Sequence, residues 1–219
     1  MFDAIVFDAY GTLFDVQSVT QESERLFPGN GSIISRLWRQ KQLEYSWLRA
    51  LMKRYATFDE INLDALRYSL QQIGKEPTDE VVANLAGQYL NLTPFPEVSE
   101  ALQELNSVPL AILSNGTPSS LTAVVQNAGL ESYFEHILSA DSVKSYKPDP
   151  RVYELARVVF DAPKDQILFV SSNGWDVAGA KQFGFSVAWV NRSSKVQEEL
   201  GVGPDYVVES LTGLLPVLS

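Results

Sequence analysis

Short apolar runs separated by stretches of helical period are what most restrict this chain. "AIVF" (4–7), "LAIL" (110–113), "ILFV" (167–170) and "VAWV" (187–190) carry no polar interruption, and "HIL" (136–138) and "YVV" (206–208) are weaker versions. Unbroken runs of this length suit strands covered on both faces, as in a parallel sheet. Between them lie segments such as "EVSEALQEL" (97–105) and "DPRVYELARVVF" (149–160), long enough and periodic enough to be helices. Alternation of this kind predicts right-handed crossovers and an α/β doubly wound sheet. Thr117-Pro118 and Asp149-Pro150 mark two helix starts, each a capping side chain followed by proline at the first helical position.

The alternation breaks between about residues 15 and 94. This stretch has no clear strand, but helical period runs through "SIISRLWRQKQLEYSWLRALMKRY" (32–55), "NLDALRYSLQQI" (62–73) and "DEVVANLAGQYL" (79–90), and "PFPEV" (94–98) punctuates the return. The expected organisation is therefore a core made of 1–14 plus 95–219, with a helical cap of 15–94 inserted after the first strand.

Open α/β sheets bind ligands beyond the carboxyl ends of their strands. Asp8 follows "AIVF", Ser114-Asn115 follow "LAIL", Ser171-Ser172-Asn173 follow "ILFV", and "KSYKPDP" brings Lys147 into the loop before the next helix. Singly these are ordinary turn, cap or surface residues. Together, at corresponding ends of consecutive strands, they outline one site.

Charge and composition narrow its ligands. Seventeen basic against twenty-seven acidic residues give a net charge of −10, which disfavours nucleic acid or an anionic membrane as a partner. An anionic small molecule needs a local cluster of cations. There is no cysteine, hence no disulfide, thiolate metal site or cysteine nucleophile. The single histidine, His136, sits at an expected strand start and reads as structural. With no GxSxG, it argues against Ser-His-Asp or Cys-His hydrolysis. No apolar stretch reaches the roughly 18–20 residues of a membrane span, and the first strand begins so close to Met1 that no leader is expected. The expected compartment is the cytoplasm.

"DAYGTLFD", "LSNG", "SYKPDPRVY" and "FVSSNGWD", in this order and spacing, resemble the haloacid dehalogenase superfamily. With "LWRQKQLEYSWLRALM" (37–52) they are similar to its (S)-2-haloacid dehalogenase branch, over nearly the full length. The resemblance implies a Rossmann-like core with a helical cap, and hydrolysis of (S)-2-haloalkanoic acids to (R)-2-hydroxy acids. The superfamily's phosphatases carry a second aspartate two positions after the nucleophile and a late acidic pair that helps bind magnesium. Here those positions hold Tyr10 and Ser172, with only Asp176 kept. A halide leaves without protonation, so the losses suit displacement at carbon, with no metal and no cofactor. The rival readings are a magnesium-dependent phosphatase and a catalytically silent binding protein on the same fold.

The roles implied are specific. Asp8 is the nucleophile, forming an ester, kept ionised by Lys147, which pairs with Asp176. Thr12, Ser171 and Asn173 orient Asp8 and stabilise the oxyanion formed when water opens the ester. Ser114 and the backbone N–H groups of Ala9 and Tyr10 hold the substrate carboxylate. Arg39, Asn115 and Trp175 cradle the halide. Tyr153 supports from behind, and Tyr10, Gln40, Leu43 and Phe58 wall the pocket. A homodimer through the cap helices is the expected assembly.

Overall fold

The computed structural model describes residues 2–218. Six parallel strands form one sheet in the order β3-β2-β1-β4-β5-β6. They are β1 (Ala4–Phe7), β2 (Leu110–Ser114), β3 (His136–Ser139), β4 (Ile167–Ser171), β5 (Ser186–Val190) and β6 (Tyr206–Val208). All six expected runs are strands, extended by a residue where a serine joins the ladder. The order reverses at β1, so the crevice of this doubly wound sheet opens where β1 and β4 end.

The apolar runs have no alternation because both faces are covered. Ile5 and Phe7 of β1 join Ile112, Leu168 and Val170 in one buried cluster. Val6 joins Ala111, Leu113, Ile167 and Phe169 in another on the opposite face. His136 packs edge-on against Phe160, with ring centroids 5.5 Å apart.

From residue 16 to residue 91 the described chain is helical. It comprises α1 (Val19–Leu26), α2 (Gly31–Leu51), α3 (Phe58–Gln72) and α4 (Asp79–Gly87), followed by a 3-10 turn at 88–91. Helix α3 starts four residues earlier than its apolar period suggests. Thr57 and Glu60 form a reciprocal capping box there, satisfying end N–H groups that hydrophobic periodicity does not register. Trp38 of α2 is fully buried, and its indole N–H donates to the Asn62 carbonyl of α3 at 2.9 Å. The apolar cluster runs unbroken from Phe7 and Leu13 of the sheet layer through Tyr10 and Phe58 to Trp38 and Ile61.

The remaining helices, α5 (Val98–Leu105), α6 (Pro118–Asn127), α7 (Pro150–Phe160) and α8 (Gly174–Phe183), cover the sheet. The Thr117 side chain accepts from Ser120 N–H and that of Asp149 from Arg151 N–H, so both proline-marked starts are capped. Polar contacts tie the two layers of helices together. Thr117 and Ser120 at the start of α6 donate to the Asp59 carboxylate of α3 at 2.8 and 2.9 Å. Tyr55 donates to Asp141, and Tyr146 to the Ala56 carbonyl. No helix among the described residues is long and apolar enough to cross a membrane.

Candidate active site

Strand β1 ends by turning Asp8 into the crevice, where its N–H donates to the Val170 carbonyl of β4 at 2.9 Å. Gly11 has a φ of +88°, a conformation that strains any residue with a Cβ, and it lets the chain double back past Asn173. The result is a carboxylate only 4% exposed with a partner on each side.

The Lys147 ammonium is fully buried and spends its three donors on three acceptors. These are Asp8 Oδ1 at 2.8 Å, Asp176 Oδ2 at 2.6 Å and the Leu113 carbonyl at 3.0 Å. Burial opposes its charge, but Asp176 and Asp8 outweigh that and its pKa is raised. Burial lifts the Asp176 carboxyl to about 6 against the pull of Lys147, with Asp8 adding repulsion. Tyr153 donates to Asp176 Oδ1 at 2.7 Å. Burial first, and Asp176 second, hold its hydroxyl well above the ordinary tyrosine value, so it stays a neutral donor.

The other oxygen of the nucleophile is crowded with donors. Asp8 Oδ2 receives Asn173 Nδ2 at 2.7 Å, Thr12 Oγ1 at 3.0 Å and Ser171 Oγ at 3.4 Å. Thr12 is itself fixed by the Ser172 N–H at 2.9 Å, and Asn173 Nδ2 also donates to the Tyr10 carbonyl at 3.0 Å. One amide nitrogen thus bridges two oxygens that converge beside Asp8. Among the described residues no three His, Cys, Asp or Glu side chains converge as a metal cage.

Asn115 accepts the Lys147 N–H on Oδ1 at 2.8 Å. Ser114 is buried and accepts the Gly116 N–H at 3.3 Å. On α2, Arg36 is exposed and Lys41 is paired with Glu44 at 2.8 Å, whereas Arg39 reaches the Tyr10 carbonyl at 3.5 Å and Gln42 at 3.3 Å. Those two contacts are long, so the five N–H groups of its guanidinium are not exhausted. Tyr10 stacks on Phe58 with centroids 5.8 Å apart. Leu43 is half-buried and Gln40 is exposed on α2, whereas Gln42 is buried and donates to Asn62 at 2.6 Å. Trp175, in the first turn of α8, has a buried indole N–H with no hydrogen-bond partner among the described residues.

Two residues absent from the sequence reading belong to this neighbourhood. Trp47 donates to the Lys147 carbonyl at 3.1 Å and meets Trp175 edge-on at 5.3 Å. Arg192, just after β5, donates to Ser172 Oγ and to the Thr12 carbonyl, both at 2.9 Å, while Glu97 holds its other edge. Its position at a strand end, the criterion that singled out Asp8 and Ser171, was the signal available for it.

Residues 2–184 match the model of the haloacid dehalogenase-like hydrolases. The chain is 51% identical over 213 residues to an (S)-2-haloacid dehalogenase of Pseudomonas sp. (strain YL), covering 96% of this chain and 92% of that one. It is 47% identical over 219 residues to haloacetate dehalogenase H-2 of Moraxella sp. (strain B), covering 99% and 98%. The fold superposes with a TM-score of 0.95 on the L-2-haloacid dehalogenase of Xanthobacter autotrophicus with chloropropionic acid covalently bound. That structure is 46% identical, and the match covers 100% of this chain and 98% of that one. The chain belongs to the haloacid dehalogenase-like hydrolase family, in its (S)-2-haloacid dehalogenase branch.

Proposed function

We propose that this protein hydrolyses (S)-2-haloalkanoic acids to (R)-2-hydroxy acids through an ester on Asp8, with inversion at C2 and without metal or cofactor. The observation that carries this reading is the asymmetric dressing of the nucleophile: one donor on Oδ1, three on Oδ2. Oδ1 attacks C2 and the halide departs with the bonding pair. Oδ2 becomes the ester carbonyl, and its donors hold the negative charge when water adds to that carbon. Asp176 takes the proton from this water, since its raised pKa puts the free base near working pH. Ser114 and the N–H groups of Ala9 and Tyr10 hold the substrate carboxylate. Arg39, Asn115 and Trp175 receive the halide, the last through the indole N–H that has no hydrogen-bond partner among the described residues. Tyr10, Gln40, Leu43 and Phe58 wall the pocket, under a cap formed by 15–94 over a core of 1–14 and 95–219. A cytoplasmic homodimer joined through the cap helices completes the reading.

Release of chloride from (S)-2-chloropropionate, measured beside phosphate release from a generic phosphomonoester, tests it. Chloride without phosphate is the expected result; the reverse would make the protein a phosphatase, and neither would make it a silent binder. Turnover should survive exhaustive chelation and gain nothing from magnesium, because Tyr10 and Ser172 replace the carboxylates such a site needs. A large loss on chelation, restored by magnesium, would reject the metal-free route.

The Asp176 assignment gives a pH limb. Its carboxyl titrates at about 6 when folded, against 3.8 for a free aspartate. As pH falls through about 6 the base is protonated and ester hydrolysis slows. The same upward shift means the folded state binds this proton more tightly, so this group withdraws stability as pH rises from about 4 to 6. Turnover against pH should drop on the acid side near 6. An unchanged limb in Asp176→Asn, at undiminished rate, would remove Asp176 as the base.

Arg39→Lys should lower kcat/KM by about 2–4 kcal/mol of transition-state stabilisation, the scale of one preorganised donor. A hydrated point charge does not reproduce a planar fork. Near-normal turnover in that variant would return Arg39 to a solvated helix face.

A further inference from the structure

A cleft of about 390 Å³ opens beside the site, between the loop that carries Gly11 and the loop that follows β5. Its lining includes Gly11, Arg39 and Asn173, the last bonded directly to Asp8. It also includes Arg192, Ser193 and Lys195, and Ser193 and Lys195 are exposed. A larger hollow of about 910 Å³ lies against Trp47, Leu51 and Trp175. No residue lining that hollow hydrogen-bonds Asp8 among the described residues; its link to the site runs through Trp47, on the Lys147 carbonyl and against Trp175, and through Trp175 of the proposed halide cradle. Volume favours the second opening; connection to the nucleophile favours the first.

Charge does not by itself separate the two openings, because Lys53, Lys144 and Arg151 line the larger hollow, with Lys144 paired to Asp141 and Arg151 to Asp149. A chain of net charge −10 repels an approaching anion. The smaller cleft carries three cations from its buried end to its rim: Arg39, Arg192 and Lys195. Arg192 is fixed by four contacts, on Ser172 Oγ, the Thr12 carbonyl, Glu97 and the face of Phe95 at 3.9 Å. Glu97 offsets part of its charge, and the Asp15 carboxylate on the same wall accepts from the Gln17 N–H at 2.8 Å. The Lys195 ammonium makes no ion pair among the described residues, and its backbone N–H is anchored on Asn191 Oδ1 at 2.8 Å. That leaves a loop, tied back to Asn191, presenting one uncommitted cation at the rim.

We propose that this cleft is the route by which the carboxylate substrate enters and both anionic products leave, with Lys195 steering them at its mouth. The inference rests on the haloacid reading above. It assigns the larger hollow no part in traffic.

The absence of cysteine makes a direct test available. Ser193→Cys introduces the sole thiol, which is capped in turn by two methanethiosulfonates of similar size, one bearing a sulfonate and one a trimethylammonium. On (S)-2-chloropropionate at low salt, the sulfonate adduct should lower kcat/KM about tenfold relative to the ammonium adduct, the small end of steering effects. About 0.5 M sodium chloride should close most of that gap, since screening shortens the reach of exposed charges. Leu51→Cys, in the larger hollow, receives the same pair, and its two adducts should agree within about twofold, as charges remote from the path are largely screened. Lys195→Glu, which needs no reagent, should lower kcat/KM about threefold at low salt, the scale of a charge reversal at roughly 12 Å in water. Equal rates for the two Ser193→Cys adducts would overturn the proposal, as would a gap at Leu51→Cys instead. An unmodified wild type that releases no chloride would sink the substrate assignment itself, a separate failure.

Discussion

In ¹⁸O water, with enzyme in excess over substrate, the label enters the peptide that carries Asp8, and the hydroxy acid of the first turnover is essentially unlabelled. This follows from where each bond is made. Displacement at C2 joins an Asp8 oxygen to carbon, and water then opens the ester at the carboxyl carbon, so the product leaves with an oxygen of the aspartate. Further turnovers reuse the labelled carboxylate and bring solvent oxygen into product. Three donors on Asp8 Oδ2 support hydrolysis at that carbon, since they surround the oxygen that takes up negative charge. Asp8→Asn should lose activity by a factor on the order of 10⁴ or more, the scale seen when a nucleophile is removed. Deamidation back to aspartate would restore some activity on storage. Label in the first-turnover product, with none in the Asp8 peptide, would reduce Asp8 to a general base.

Lys147→Met should be the most damaging change outside the nucleophile. The ammonium sits between two buried carboxylates, 2.8 Å from Asp8 and 2.6 Å from Asp176. Removing it leaves two buried carboxyls without the cation they share. Breaking a buried pair by deleting one partner costs about 3–5 kcal/mol. Without the cation that pulls it down, the buried Asp176 carboxyl rises further and takes up a proton on folding. That uptake is opposed more strongly as pH rises, so the variant's deficit should be larger at the higher pH and smaller at the lower. Urea unfolding of wild type and variant at about pH 7.5 and pH 5 measures this difference, within the usual range of maximal stability. Equal stability at the higher pH would mean that Lys147 does not hold the two carboxylates together. Dehalogenase turnover should be lost at both.

The strands were legible because burial on both faces leaves a mark in composition: "AIVF" and "ILFV" are apolar throughout since Val6 and Phe169 face one layer while Ile5 and Leu168 face the other. Strand ends were legible as places where Asp8, Ser114 and Ser171 could meet, because a parallel sheet aligns all its carboxyl ends. Contacts between distant segments were not. Trp47 meets Lys147 across 100 residues, and nothing in a helical period says which face of α2 turns toward the core loops. Arg36, Arg39 and Lys41 look alike in sequence. In the structure one is exposed, one reaches the Tyr10 carbonyl and one is neutralised by Glu44. Helix α1 escaped because it is short, with only Val19 and Ser23 buried.

The sheet order bears on biosynthesis. Asp8 is made before any of its partners, yet Lys147, Ser171 and Asn173 follow it by 139, 163 and 165 residues. Its own strand is flanked by β2 and β4 rather than by anything close in the chain. While the ribosome is still extending the chain, α1 to α4 have neighbours to pack against. β1 has none until the 110s emerge, and its second neighbour arrives only with the 160s. Non-local pairings of this kind form late and slowly. A nascent or prematurely terminated chain therefore carries Asp8 with at most Thr12 beside it, and chemical competence waits for the segments that bring Lys147, Ser171 and Asn173.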